Sequence, residues 1–579
     1  GADTLSAVRN GQHTFATSLA NNAAYAVTVT GLPRGQQCAV SNGSGNIAAS
    51  DVANVFVQCT HVASTPLSIA SDGSAPWALA VLRGAAGLRN KAYPGILYES
   101  RIGVTGGIFP YEFSVAGLTK GGVAVDASGV HIDFRRGLVR WTPATTGSYV
   151  LTVAVKDSKA GGATSLQQAF PIEVTSSGFV FVSAANGVDT VNGGTFNQPY
   201  QSVQYTLAHA ASSAMIYVRN GRYATNGFSL NANSSVVLLA YPNEKVTLDL
   251  QDRSISYAED TRTGRLEGFD ILNARQRGIF IDSSRGGLVI RNNRFLNGRE
   301  YFNGEAGDVG ISENPCYIFP AGGDSTRHPG LMVQDNYFGP FEVRSWLAGD
   351  GTTRTSGGSS MVLYDVANGL IENNLVETKT YSGISDKDNS VNNTFRENII
   401  LGPADGSMGN GFSMMAQSNA SGLHMHHNLL ENSDITLGAQ CFQTTCVMEK
   451  VFLHHNTLAQ GRTNFAGGPY QPGSNTYRFW FNVVSNNVKA PFSGCSGEDN
   501  SSMLAKWQID KNLYKNNASL VLDNDWCPST YDANLTRWRN TLGFDINGTF
   551  TTSTILTGSG ETTGVPTNGA WFGVVGHGY

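Results

Sequence analysis

Ile290-Arg-Asn-Asn293-Arg-Phe295, Val333-Gln-Asp-Asn336-Tyr-Phe338, Ile371-Glu-Asn-Asn374-Leu-Val376 and Phe395-Arg-Glu-Asn398-Ile-Ile400 share one six-position pattern. It reads apolar, two variable, Asn, one variable, apolar. Met425-His-His-Asn428-Leu-Leu430, Leu453-His-His-Asn456-Thr-Leu458, Val484-Ser-Asn-Asn487-Val and Ile509-Asp-Lys-Asn512-Leu-Tyr514 continue it, and Leu266-Glu-Gly-Phe269-Asp-Ile271 opens it with Phe in place of Asn. The first four asparagines are 24 to 43 residues apart. A short basic period with length tolerance between copies marks a solenoid of stacked coils. The apolar residues on either side of Asn point inward from two successive strands. The Asn takes the corner, where its amide bonds to its counterparts and where a left-handed backbone suits it.

Around this series the entry and exit agree. Phe179-Val-Phe-Val and Met215-Ile-Tyr-Val-Arg-Asn-Gly221 read as strands, and Ser202–Ala211 reads as an amphipathic capping helix between them. Leu535-Thr-Arg-Trp538-Arg-Asn-Thr-Leu-Gly543-Phe-Asp545 reads as a helix and turn near the end. From about 178 to 547 the chain resembles right-handed parallel β-helix proteins of the pectate-lyase-like kind. That resemblance implies an all-β fold and an extracellular, polysaccharide-directed role. It does not choose among lyases, hydrolases, tailspikes and adhesins.

The first third reads differently. In residues 1–61, His13-Thr-Phe-Ala-Thr, Tyr25-Ala-Val-Thr-Val-Thr and Asn54-Val-Phe-Val-Gln-Cys59 alternate apolar and polar between Gly, Asn and Ser turns. This predicts a small sandwich. Gly11–Cys59 resembles an Ig-like repeat of bacterial surface and secreted proteins without its usual first strand, which leaves truncation or completion by a partner strand as readings. Residues 67–176 predict a second sandwich. Gly107-Ile-Phe-Pro-Tyr-Glu-Phe, Gly137-Leu-Val-Arg-Trp141-Thr-Pro143 and Gly147-Ser-Tyr149-Val-Leu-Thr-Val-Ala-Val-Lys-Asp157 resemble cadherin-like Ig modules. Trp141 is expected to anchor its core and Asp157 to cap a turn. The expected domains are therefore 1–61, 67–176 and a β-helix over 178–579.

The 579 residues carry 14% charged side chains, 67 Gly and a formal net charge of −5, which suits a β-rich extracellular protein and gives no reason to expect nucleic acid as a partner. No apolar run reaches membrane-spanning length, and the sequence opens on polar Gly1-Ala2-Asp3-Thr4 rather than on a signal peptide, as a mature or a trimmed form would. Seven cysteines suit an oxidising compartment, with expected disulfides Cys38–Cys59, Cys441–Cys446 and Cys495–Cys527 and with Cys316 left over. A bacterial protein, secreted or held at the cell surface, is the expected setting.

The long copies of the repeat insert residues at about 297–331, 339–358, 462–476 and 493–502, all on one edge of the coil. They bring Tyr301, Glu305, Asp308, Asp324, His328, Arg344, Trp346, Asp350, Arg354 and Tyr470. Aromatic, acidic and basic groups together suit a glycan. The strands expected beneath them form a first sheet, and Tyr364-Asp365, Glu377-Thr-Lys379-Thr-Tyr381 and Ser385-Asp386-Lys387-Asp388 concentrate its charges. β-Elimination from a uronic acid needs a base and positive charge to stabilise the enolate. Ser385–Asn389 with Asn393-Thr394-Phe395 resembles the lysine-bearing strand of alginate and chondroitin lyases of this fold. That resemblance implies Lys387 as base, with Asp365, Asp386 and Asp388 nearby. Tyr364, Tyr381, Lys379, Trp346, Arg344, Tyr301 and His328 would bind the glycan. Ca²⁺ is an alternative source of positive charge, although Thr380 and Ser382 stand where such lyases place acidic metal ligands. No arginine follows in Gly411-Phe-Ser-Met-Met. A hydrolase would instead pair Asp365 with Asp386 or Asp388. A non-catalytic adhesin or fibre subunit, self-assembling through its Ig-like modules, is the reading from another class. On the next sheet Arg291, Gln334, Glu372, Arg396, His426 and His454 are expected to stack outward. Glu372 over Arg396 then forms a surface ion pair, and the two histidines form a solvated stack or a metal pair.

Overall fold

In a computed structural model of the chain, the described residues cover most of 87–299 and the strands and corners of the coils as far as 551, with short pieces before residue 82. The longer segments outside the description are 62–79, 300–315, 467–476, 494–506, 524–538 and 552–579. The expected second helix therefore falls largely outside the described residues.

From Phe179 onward every ladder of the two large sheets is parallel. One sheet has twelve strands, running from Phe179–Val182 through Leu288–Arg291, Leu370–Glu372 and His424–His426 to Trp507–Asp510. The other has twenty-one strands and consists, after its first strands, of two ladders. One ladder passes through Cys316–Pro320, Ser359–Tyr364, Ile384–Lys387 and Gly409–Met415. The other passes through Arg294–Leu296, Leu375–Glu377, Ile399–Leu401 and Leu429–Glu431. An all-β chain whose three ladders each advance one coil at a time is consistent with a parallel β-helix. The helix Val203–His209 lies where the capping element was expected, with the Ser202 hydroxyl accepting from the Tyr205 amide.

The repeat explains the stacking. Ile290, Val333, Ile371, Phe395, Met425, Leu453, Phe479 and Ile509 share one interior with Phe295, Phe338, Val376, Ile400, Leu430, Leu458, Val484 and Tyr514. Each ladder asparagine from Asn293 to Asn482 donates to a carbonyl of the preceding coil and to the next asparagine. Asn336, for example, gives Nδ2 hydrogens to the Ile290 carbonyl at 2.8 Å and to Asn374 Oδ1 at 3.0 Å. The chain of amides continues through Asn398, Asn428 and Asn456 to Asn482 and Asn512. Two expectations need correction here. The seventh ladder member is Asn482, not Asn487, because Phe479 and Val484 are its inward neighbours. The left-handed corner also belongs to the preceding residue: Asn292, Asp335, Asn373, Glu397, His427 and His455 all have φ between 53° and 58°. The ladder Asn keeps an ordinary backbone, and its amide closes the turn.

Ahead of the coils, residues 87–174 form a five-stranded sheet that includes Glu112–Lys120, Gly147–Lys156 and Ser165–Val174, and a three-stranded sheet that includes Tyr98–Arg101 and Leu138–Trp141. The two share one apolar core. Trp141 is buried in it and meets Tyr149 edge-on at 5.0 Å. Asp157 accepts from the Thr164 amide at 2.6 Å and from the Ile108 amide at 3.3 Å. In the first 61 residues two short antiparallel pairs are described, and one sets Cys38 directly opposite Cys59. The cysteines 441, 446, 495 and 527 lie outside the described residues.

The antiparallel unit of 87–174 sits on the outer face of the twelve-stranded sheet, which overturns the expectation that this face meets solvent. Glu99 pairs with Arg291 at 3.2 Å, and Arg101 bonds Asp335 and reaches Glu372 at 3.4 Å. The Tyr111 hydroxyl accepts from Arg396 at 3.2 Å. Glu372 and Arg396 are 1% and 3% exposed at their side chains and 2.5 Å apart, so their pair is buried. His426 is buried under Phe109 for the same reason.

Candidate functional site

Alternation along Ile384–Lys387 decides which side chains can meet a ligand. Ile384 belongs to the interior, so Asp386 also faces inward and Ser385 and Lys387 face out. The register agrees: Asp386 lies beside Leu363 of the interior, and Lys387 lies beside Tyr364. Asp386 is 1% exposed and accepts from Asn393 Nδ2 at 3.1 Å. Burial holds its carboxyl up at about 7, against hydrogen bonds from Ser390 and Asn393 that pull it down.

Lys387 and Tyr364 form the outer end of a row. The ammonium lies 3.4 Å from the Tyr364 hydroxyl and 5.4 Å from the ring centre. Tyr364 meets Phe319 at 5.4 Å, and Phe319 stacks on Phe280 at 6.1 Å. The Arg277 guanidinium closes the other end, 3.7 Å from the centre of the Phe319 ring. Partial burial lowers the Arg277 pKa, and its buried Nε has no hydrogen-bond partner among the described residues. Phe319 and Lys387 are buried, at 5% and 6% exposed, while Phe280, Tyr364 and Arg277 are half-buried. Three aromatic rings with a cation at each end can stack sugar faces and hold carboxylates.

The other expected residues are placed as follows. Asp365 follows Tyr364 at a left-handed corner with φ 53°, is 3% exposed, and has a buried Oδ1 with no partner among the described residues. Its carbonyl accepts from the His328 amide at 2.7 Å, so the fold brings His328 and Asp365 together, both buried at a corner. Trp346 lies on the short strand Ser345–Leu347, whose antiparallel partner sets it across from Arg354. Tyr301, Arg344, Lys379, Tyr381 and Asp388 lie outside the described residues.

Arg277, Phe280 and Phe319 were not singled out from the sequence. Their signal was present: Phe280 is flanked by the inward Ile279 and Ile281. What was missing was the register that lays Phe280 beside Phe319 and Arg277 beside Cys316, across a long insertion. Cys316 is fully buried next to this row, and burial pushes its thiol up to about 12. Among the described residues no group of three His, Cys, Asp or Glu is placed to hold a metal ion, and no helix is long and apolar enough to cross a membrane.

No family model matches the chain, and no curated protein matches it. Among solved structures, a protein assigned as an alpha-galactosidase from Bacteroides fragilis is similar over 24% of this chain and 29% of its own, at 15% identity and a TM-score of 0.12.

Proposed function

We propose that the chain is a secreted protein acting on an acidic polysaccharide along the outer face of the first sheet, by β-elimination. The observation that carries this reading is the row from Arg277 through Phe319 and Tyr364 to Lys387. The aromatic rings offer stacking faces for successive sugars, and Arg277 meets the carboxylate of a neighbouring uronate. Lys387, as the free amine, takes the proton next to the carboxylate at the cleavage site. Tyr364 donates its hydroxyl proton to the departing glycosidic oxygen, a double bond forms in the sugar, and the C–O bond breaks. The inward turn of Asp386 and the burial of Asp365 give no support to a hydrolase built on that pair. In this reading the coil is right-handed, and residues 67–176 are an Ig-like, cadherin-like spacer. A disulfide joins Cys38 to Cys59, as suits export.

A second reading keeps the glycan and drops the chemistry, leaving a binding rod or adhesin. The burial of Asp365, Asp386 and Lys387 favours it.

Alginate, pectate and glycosaminoglycans, each incubated with the protein, separate the two. Unsaturated product absorbing in the ultraviolet, abolished in Lys387→Ala and strongly reduced in Tyr364→Phe, is expected. Retained binding with no product from any of them would leave the rod.

A further inference from the structure

Five imidazoles converge where the antiparallel unit meets the coil, and the proposed glycan chemistry uses none of them. His426 stacks on His454 at 5.1 Å with rings 1° from parallel, and His427 stacks on His455 at 5.0 Å and 4°. His424 Nε2 lies 2.5 Å from His454 Nε2. His426 Nδ1 lies 2.9 Å from His427 Nδ1, and His454 Nδ1 lies 2.8 Å from His455 Nδ1. The pile forms because two successive copies of the repeat carry His-His before their ladder asparagine. One histidine of each pair stands on the sheet face and the other on the left-handed corner. Phe109 of the antiparallel unit covers the pile, with its ring 4.7 Å from His427 and 5.5 Å from His426.

We propose that this histidine pile is an acid-operated latch that holds the antiparallel unit on the coil when neutral and releases it when protonated. A neutral imidazole has one donor and one acceptor nitrogen, so the three close N···N contacts are satisfied in the neutral state. An imidazolium offers only donors. One added proton fits, with His454 donating from both nitrogens to His424 and His455, but a second added proton in this chain of three sets N–H against N–H. His424, His426, His427 and His455 are buried and His454 is half-buried, so the added charge is poorly solvated there.

The neighbouring charges act in the same direction. Arg396 lies on the preceding rung, with Arg101 and Arg136 beyond it near Glu397, and Arg478 stands over Trp480 on the following rung. The acidic groups are already engaged: Glu372 with Arg396 and Arg101, and Tyr111 with Arg396. Glu397 opposes the latch, because burial holds its carboxyl up at about 7 and acid therefore favours its docked, protonated form. It is one group against five. Burial lowers all five histidines, His454 to about 4 and the others well below the ordinary value. The undocked state therefore binds more protons below the ordinary imidazole pKa. Docking is complete above that value and weakens as the pH falls from it toward about 4.

Small-angle scattering of the full chain between neutral pH and about pH 4.5 tests the latch. A reversible rise in radius of gyration is expected, absent at the same pH in a triple variant His426→Gln, His427→Gln, His454→Gln. An unchanged radius in the native protein, or the same expansion in the variant, would overturn it. ¹³C-histidine NMR of the native protein needs no variant: five resonances should titrate well below the remainder, and ordinary midpoints for all would refute the idea. Stoichiometric Zn²⁺ uptake that the triple variant loses would also overturn it, since the pile would then be holding a metal.

Discussion

Asn374 Nδ2 donates to Asn398 Oδ1 at 2.9 Å across one coil, while Asn374 Oδ1 accepts from Asn336 Nδ2 at 3.0 Å on the other side. The same Nδ2 also reaches the Val333 carbonyl at 2.9 Å, and the Asn336 amide donates to Oδ1 at 3.1 Å. Asn374→Ala leaves buried donors and acceptors on both neighbouring coils without partners. Each such group costs about 1–3 kcal/mol, so a loss of roughly 3 kcal/mol or more is expected. Thermal unfolding checks it. Asn482→Ala should cost as much, since it bonds Leu453 and Asn512 in the same way.

Arg101 is 2% exposed and pairs with Asp335, Glu372 and Glu397 at the seam, sharing Asp335 with Arg291 and Glu372 with Arg396. Arg101→Ala strands buried carboxylates, a change that typically costs about 3–5 kcal/mol. The expected result is an undocked antiparallel unit at neutral pH, read as a larger radius of gyration and as faster protease cleavage near residues 175–178. The coil strands should keep their far-ultraviolet signal.

Asp386 gives a pH dependence with a definite sign. Burial raises its carboxyl from 3.8 to about 7, so the folded state binds this proton more tightly than the unfolded chain. Its contribution is therefore greatest in acid and is lost as the pH rises from 3.8 through about 7. Asp386→Asn should raise the melting temperature at about pH 8 and change it little at about pH 4.

The cysteines separate by environment. Cys38 stands opposite Cys59 in an antiparallel pair, the geometry a cross-strand bridge needs, and non-reducing peptide mapping should find the two linked. Cys316 is buried with a thiol raised to about 12, so it should resist alkylation in the native protein and react after denaturation.

How far the sequence could be read varied from one ladder to the next. Ile371, Asn374 and Val376 lie within six residues, so their alternation and their amide announce a coil without any distant information. Where two asparagines compete, as in Phe479-Trp-Phe-Asn482-Val-Val-Ser-Asn-Asn487, only the observed register shows which one lies between inward residues. Ile384–Lys387 forms a strand of the large sheet, as its sequence suggests. Whether Asp386 or Lys387 faced outward depended on its pairing with Leu363 and Tyr364 one coil earlier.

The repeat, the all-β class and the position of the capping helix were written in the sequence, because inward apolar residues and corner amides satisfy needs that recur locally in every coil. The covered face was decided by tertiary structure. Glu372, Arg396 and His426 have the composition of a solvated surface, and their partners Arg101, Phe109 and Tyr111 lie hundreds of residues earlier in the chain. A polar side chain reads the same from sequence whether water or a matching charge surrounds it, and only docking brings the matching charge.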